Sequence, residues 1–103
     1  MYNVEITLVD IVNAISNGNV SETEKIKTIN ARIESVTRNE LYAARSAGFN
    51  PEIKFVIPDF RDYDRQRYID YEGRRYVVTR TFRAVDSTAL EFVCEGVTED
   101  GAV

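Results

Sequence analysis

Asp59, Asp62 and Asp64 lie close together in the chain, and clustered carboxylates are the ligands that hard divalent cations take. The spacing nevertheless lacks the mid-loop glycine and the closing bidentate glutamate of an EF-hand loop, and Arg61, Arg65 and Arg67 sit among the acids. Local ion pairing in a solvated turn is therefore expected, with no bound metal. A second constellation joins Arg61, Arg65, Arg67, Arg74 and Arg75 to Tyr63, Tyr68, Tyr71 and Tyr76. Cations that track phosphates and rings that stack on bases are the ingredients of a single-stranded nucleic-acid surface. The competing reading is a hairpin whose tyrosines alternate into a core while the arginines pack over them. The interleaved aspartates cancel much of the positive field, which favours the second reading.

The chain has no histidine. That removes the commonest general base, the usual serine or cysteine triads and most zinc sites. No spacing marks a glycosidase-like carboxylate pair. The expectation is a non-enzymatic protein with no catalytic residue and no cofactor. The single cysteine, Cys94, excludes an internal disulfide and lies in the apolar run Leu90-Glu91-Phe92-Val93-Cys94, where a buried thiol is expected.

Those residues need a scaffold. One hundred and three residues, 44% hydrophobic and 29% charged, are expected to make one globular domain with a modest core. No apolar run approaches the ~20 residues of a membrane-spanning helix, and a soluble chain is expected. Charge is uneven: residues 84–103 carry five acids and no base, and the whole chain sums to −4. A nucleic-acid binder normally shows a basic excess. Ten of the thirteen basic residues are arginine, whose planar fork suits ion pairs at protein interfaces.

Val4-Glu5-Ile6-Thr7-Leu8 alternates and predicts a first strand. Asp10 to Glu24 reads as a long flexible loop around the turn chemistry of Ser16-Asn17-Gly18-Asn19. Lys25 to Val36 predicts a long strand with a bulge or bend near Asn30. Thr37 and Glu40 have capping-box spacing, so a helix is expected over about 38–47, with Leu41, Ala44 and either Tyr42 or Ala47 facing the core and Gly48 ending it. Ile53–Ile57 is the next strand, Asp59–Gln66 a polar loop, and Arg67–Tyr71 with Arg75–Thr79 a hairpin around Glu72-Gly73-Arg74. Ala89–Glu95 is the last strand, followed by an acidic tail over 97–103. These elements predict a mainly β fold: a small antiparallel barrel or sandwich over 1–96 with one short helix packed on it.

Two stretches carry a resemblance. Ser35 to Ala44 contains Thr37-x-x-Glu40-x-Tyr42-x-Ala44 and runs through Ala47-Gly48-Phe49-Asn50-Pro51 into Ile53-Lys54-Phe55. This resembles the central segment of the tailed-phage head-closure, or head-tail joining, family. Arg67 to Val78, with Tyr71-Glu72-Gly73-Arg74-Arg75-Tyr76, is similar to that family's next hairpin, and Glu99-Asp100-Gly101-Ala102 to its acidic tail. The order of elements matches from about Val4 to the end.

The resemblance implies a virion structural protein, assembled in the host cytoplasm, that forms a twelvefold homo-oligomeric ring. Its partners would be a portal and adaptor complex above and tail proteins below, and DNA would pass through the channel without specific binding. The alternative is a small β-barrel module that binds nucleic acid through the Arg/Tyr-rich hairpin. The residues expected at a partner or channel interface are Ser16, Asn17, Gly18, Asn19 and Val20 in the loop, with Arg65 and Arg75.

Overall fold

A computed structural model describes residues 2–97, so the expected acidic tail lies outside the described residues except for Val97. The elements in order are β1 (Val4–Ser16), β2 (Asn19–Glu34), α1 (Arg38–Ser46), β3 (Ile53–Ile57), a 3-10 turn (Phe60–Asp62), β4 (Tyr68–Tyr71), β5 (Arg74–Arg83) and β6 (Leu90–Gly96). The six strands close into an antiparallel barrel in the order β1-β2-β3-β6-β5-β4. The mainly β class with one short helix is as expected, and closure selects the barrel over the sandwich.

Side chains two residues apart share one face of a strand, and this period fills the interior. Ile6 and Leu8 of β1, Phe55 and Ile57 of β3, and Leu90, Phe92 and Cys94 of β6 all point inward, joined by Ala31, Ile69 and Tyr76. Phe55 is the hub: Tyr71 and Tyr76 meet it edge-on at 5.6 and 5.7 Å, while Tyr63 meets Phe92 at 4.7 Å. These edge-to-face contacts place the positive ring edge on a negative ring face. Cys94 has no accessible surface, and burial pushes its thiol up to about 12, so it is uncharged and unreactive at neutral pH.

The long loop expected over Asp10–Glu24 is instead regular strand. β1 and β2 pair without interruption from Val4↔Ala31 to Ser16↔Asn19. Asn17 and Gly18 take φ of 52° and 81°, the two left-handed residues of a type I′ hairpin turn. Polar residues on both faces of this hairpin hid its period. The bulge expected near Asn30 is absent too. The irregularity falls in β5 between Val78 and Arg80, where the Thr79 hydroxyl donates to the Val93 carbonyl at 3.0 Å.

The helix begins as expected. Thr37 Oγ1 accepts from the Glu40 N–H at 3.2 Å, and Glu40 Oε1 accepts from the Thr37 N–H at 2.8 Å. Its burial differs from expectation: no residue of α1 is buried, Leu41 and Ala44 are only partly covered, and Tyr42 is 60% exposed. Charge fastens the helix instead. Lys54 on the outer side of β3 is 5% exposed, and its Nζ lies 3.0 Å from Glu40, 3.3 Å from Glu91 and 3.8 Å from Glu34. Burial alone would lower the ammonium's pKa, but Glu40 and Glu91 outweigh it and hold it above the usual lysine range. Burial likewise would raise Glu40; the Thr37 N–H and Lys54 outweigh it and keep the carboxyl below its ordinary range.

Thr37→Ala should lower stability by about 1 kcal/mol through the lost cap, and Phe55→Ala by about 3–5 kcal/mol through the emptied core. Leu41→Ala should fall below the ~2–5 kcal/mol of a core leucine, because Leu41 is only partly covered. Urea unfolding of the three variants checks this order. A carboxyl with a depressed folded pKa contributes stability above its unfolded value, near pH 4.3, that is lost as pH falls through the folded value. The helix contribution from Glu40 should therefore disappear on acidification below about pH 4. Glu40→Gln should show less of that loss, as read from unfolding free energies between pH 3 and pH 7.

Candidate functional site

β1 touches β4 only from Thr7 to Val9, and β2 touches β3 only from Arg32 to Glu34. From Asp10 on one strand and back to Lys25 on the other, the hairpin leaves the barrel as a two-stranded arm. Seven residue pairs at ~3.4 Å each make it roughly 20 Å long. The molecule accordingly measures 49 × 28 × 25 Å.

Cross-strand partners share a face. One face of the arm therefore carries Val9 with Ile26, Ile11 with Glu24, Asn13 with Glu22 and Ile15 with Val20. Ile26, Ile15 and Val20 are 65%, 78% and 66% exposed. A two-stranded ribbon with both edges open and a bare β-branched pair at its end is marginal alone in water. Such an edge is also a template for other chains. The arm is a built projection with an apolar tip.

Its root is braced from two sides. Arg75 of β5 reaches Asp70 through Nε at 2.8 Å and Nη2 at 3.0 Å, and its Nη1 reaches Glu24 of the arm at 3.1 Å. The hydrogen bond to Asp70 and then that to Glu24 hold the guanidinium above its ordinary range, against burial. Arg75 also lies 5.5 Å over the Tyr68 ring. Lys27 meets Asp62 at 3.4 Å on the other side.

The residues expected at an interface thus separate. Asn17, Gly18, Asn19 and Val20 form the exposed arm tip, and Ser16 closes the turn opposite Asn19. Arg65 is exposed at a left-handed φ of 61° and has no ion pair among the described residues. Arg75 stands apart: its donors are engaged inside the chain, so it braces the arm. Of the remaining candidates for nucleic-acid contact, Arg67 is exposed and makes no ion pair among the described residues, while most of the others are engaged. Tyr63, Tyr71 and Tyr76 pack on the core, Arg74 pairs with Glu52 at 2.9 Å, and Arg61 with Asp59 at 2.8 Å. Asp59 also caps the 3-10 turn by accepting from the Arg61 N–H, and no cluster able to hold a metal occurs among the described residues.

Sequence reasoning missed Ile15 and Ile26. Asn17-Gly18 between β-branched runs was the available signal, since that dipeptide strongly favours a two-residue hairpin turn. It also missed a largely apolar groove of about 170 Å³ between α1 and the β5–β6 wall, lined by Ala43, Ala44, Ala47, Phe49 and Val93 together with Glu40, Thr79 and Arg80. No sequence pattern announces that groove, because its walls come from separate elements. Compared with models of protein families and with curated proteins, the chain matches none.

Arg75→Ala should loosen the arm and leave the barrel intact. Amide hydrogen exchange should speed up across Ile11–Glu24 while Phe55, Phe92 and Cys94 stay protected, and global stability should fall by only about 0.5–1 kcal/mol. Unchanged exchange in the arm would show that the ion pairs do not brace it.

Proposed function

We propose that the chain is a structural subunit of a tailed-phage head-tail connector, forming a ring that closes the DNA exit channel of the filled capsid and offers the tail its attachment platform. The observation that carries this reading is the arm. A braced hairpin that exposes Ile15, Val20 and Ile26 on one face offers an apolar surface suited to cover by another chain. The capping box at Thr37 and Glu40 and the hairpin at Tyr71–Tyr76 give the reading further support. Both are formed at the residues that carry the family resemblance.

Charge is consistent with this role. Duplex DNA must slide through a connector, and tight phosphate contacts would act as a brake. The net charge of −4 weakly repels the backbone over a Debye length of ~8 Å at physiological salt. The arginines nearest a nucleic-acid surface in sequence, Arg61, Arg74 and Arg75, are held by Asp59, Glu52 and Asp70. Of the five arginines in that constellation, Arg65 and Arg67 alone lack an ion pair among the described residues, which leaves little to track a phosphate chain.

The free protein should show no measurable duplex binding at physiological salt in filter-binding or anisotropy titrations. Ile15→Asp with Val20→Asp should leave the melting temperature nearly unchanged, because both side chains are exposed. The same pair should prevent incorporation into portal–adaptor connectors. Micromolar, salt-sensitive DNA affinity, or connectors that accept the double variant as readily as the unmodified chain, would overturn the reading.

A further inference from the structure

From the position of two uncovered apolar features we infer that the arm tip of one copy docks in the groove between α1 and the β5–β6 wall of a second copy. This rests on the reading above that the chain works as a ring subunit, and it specifies the surfaces that meet.

The barrel order places β1 opposite β6 and β2 opposite β5. The arm therefore leaves from one wall, and the groove lies on the other. A chain cannot fill its own groove with an arm anchored across the barrel. A contact between different patches of identical copies is heterologous, and repetition turns it into a ring or an open filament. With arm and groove on opposite walls, the contact can repeat from copy to copy, as a ring requires.

Size and charge also match. The groove holds about 170 Å³, the scale at which an apolar cavity takes a molecule as large as benzene, so a branched aliphatic side chain such as Ile15 fits. Phe49 and Phe82, 44% and 50% exposed, flank it and lack cover in the single chain. The arm, residues 10–25, carries Asp10, Glu22 and Glu24 against Lys25, and Glu24 at its root is held by Arg75. In the groove wall, Arg80 makes no ion pair among the described residues. The acids near it, Glu40 and Glu91, are neutralised in part by Lys54. An arm with a net negative charge and an apolar tip thus meets a largely apolar groove whose wall carries the unpaired Arg80.

Two variants test this. Ile15→Asp disables the arm and keeps the groove. Ala43→Glu, at an exposed helix position on the groove, keeps the arm and blocks its site. Matching melting temperatures verify that both fold. In sedimentation velocity up to about 1 mM, the unmodified chain should form dimers and larger species, and each variant alone should remain monomeric. An equimolar mixture should form a heterodimer and nothing larger, because one working arm and one working groove remain. A mixture that stays monomeric overturns the inference. So does an unmodified chain that never associates, or Ala43→Glu self-associating as the unmodified chain does. Incorporation into connectors is scored separately. If both variants enter connectors normally while the mixture stays monomeric, this contact falls and the ring reading stands. If the mixture dimerises but the unmodified chain never enters connectors, the contact stands and the ring reading falls.

Discussion

Closure of the sheet is the constraint on which the rest of the molecule depends. Three residues of β1, Thr7 to Val9, meet three of β4, Tyr68 to Asp70, and this short seam turns an open sheet into a barrel. Closure removes exposed edges from the body and surrounds Phe55, Phe92 and Ile69 with side chains on every side. It also limits how much of β1 and β2 the barrel can use. Both strands are far longer than their neighbours, so their surplus leaves as a ribbon. The compact core and the projecting arm have one cause.

Charged residues then fasten what the core does not reach. α1 buries no side chain completely, yet Lys54, enclosed by Glu34, Glu40 and Glu91, ties it to the wall of β3 and β6. The Asn50 N–H donates to the nearly buried Glu95 and fixes the chain after the helix. Arg75 serves the arm in the same way through Asp70 and Glu24. A buried ammonium is tolerable only with carboxylates around it, so the glutamates near Lys54 are part of the fold. Arginine-rich composition here reflects internal ion pairs as much as surfaces for partners.

The two apolar features left uncovered are of different kinds. The arm tip is a pair of β-branched side chains on an open ribbon; the groove is a recess between helix and sheet, lined by three alanines, Phe49 and Val93 with Glu40, Thr79 and Arg80. They lie on opposite walls of a rigid barrel. That separation makes a repeating assembly geometrically natural, and it leaves the hairpin of β4 and β5, with its inward tyrosines, to stabilise each copy.

Local chemistry determined much of this protein. The period-two apolar pattern located β3 and β6 to within a residue, Thr37 and Glu40 set the start of α1, and Glu72-Gly73 set the turn between β4 and β5. Each depends on neighbours in the chain and is legible from them. The arm escaped because Asn13, Glu22 and Glu24 interrupt its apolar face and Val12 lies on the other, which breaks the alternation; its strands are held by pairing with each other, which no single strand displays. Arg75 is held by its cross-strand neighbour Asp70, but its link to the arm was hidden because Glu24 is fifty-one positions away. The groove and its place opposite the arm were decided only when six strands closed in the order β1-β2-β3-β6-β5-β4. Which wall a side chain shares with another is a property of the closed sheet, and the physical reason is that closure brings together residues that no local interaction connects.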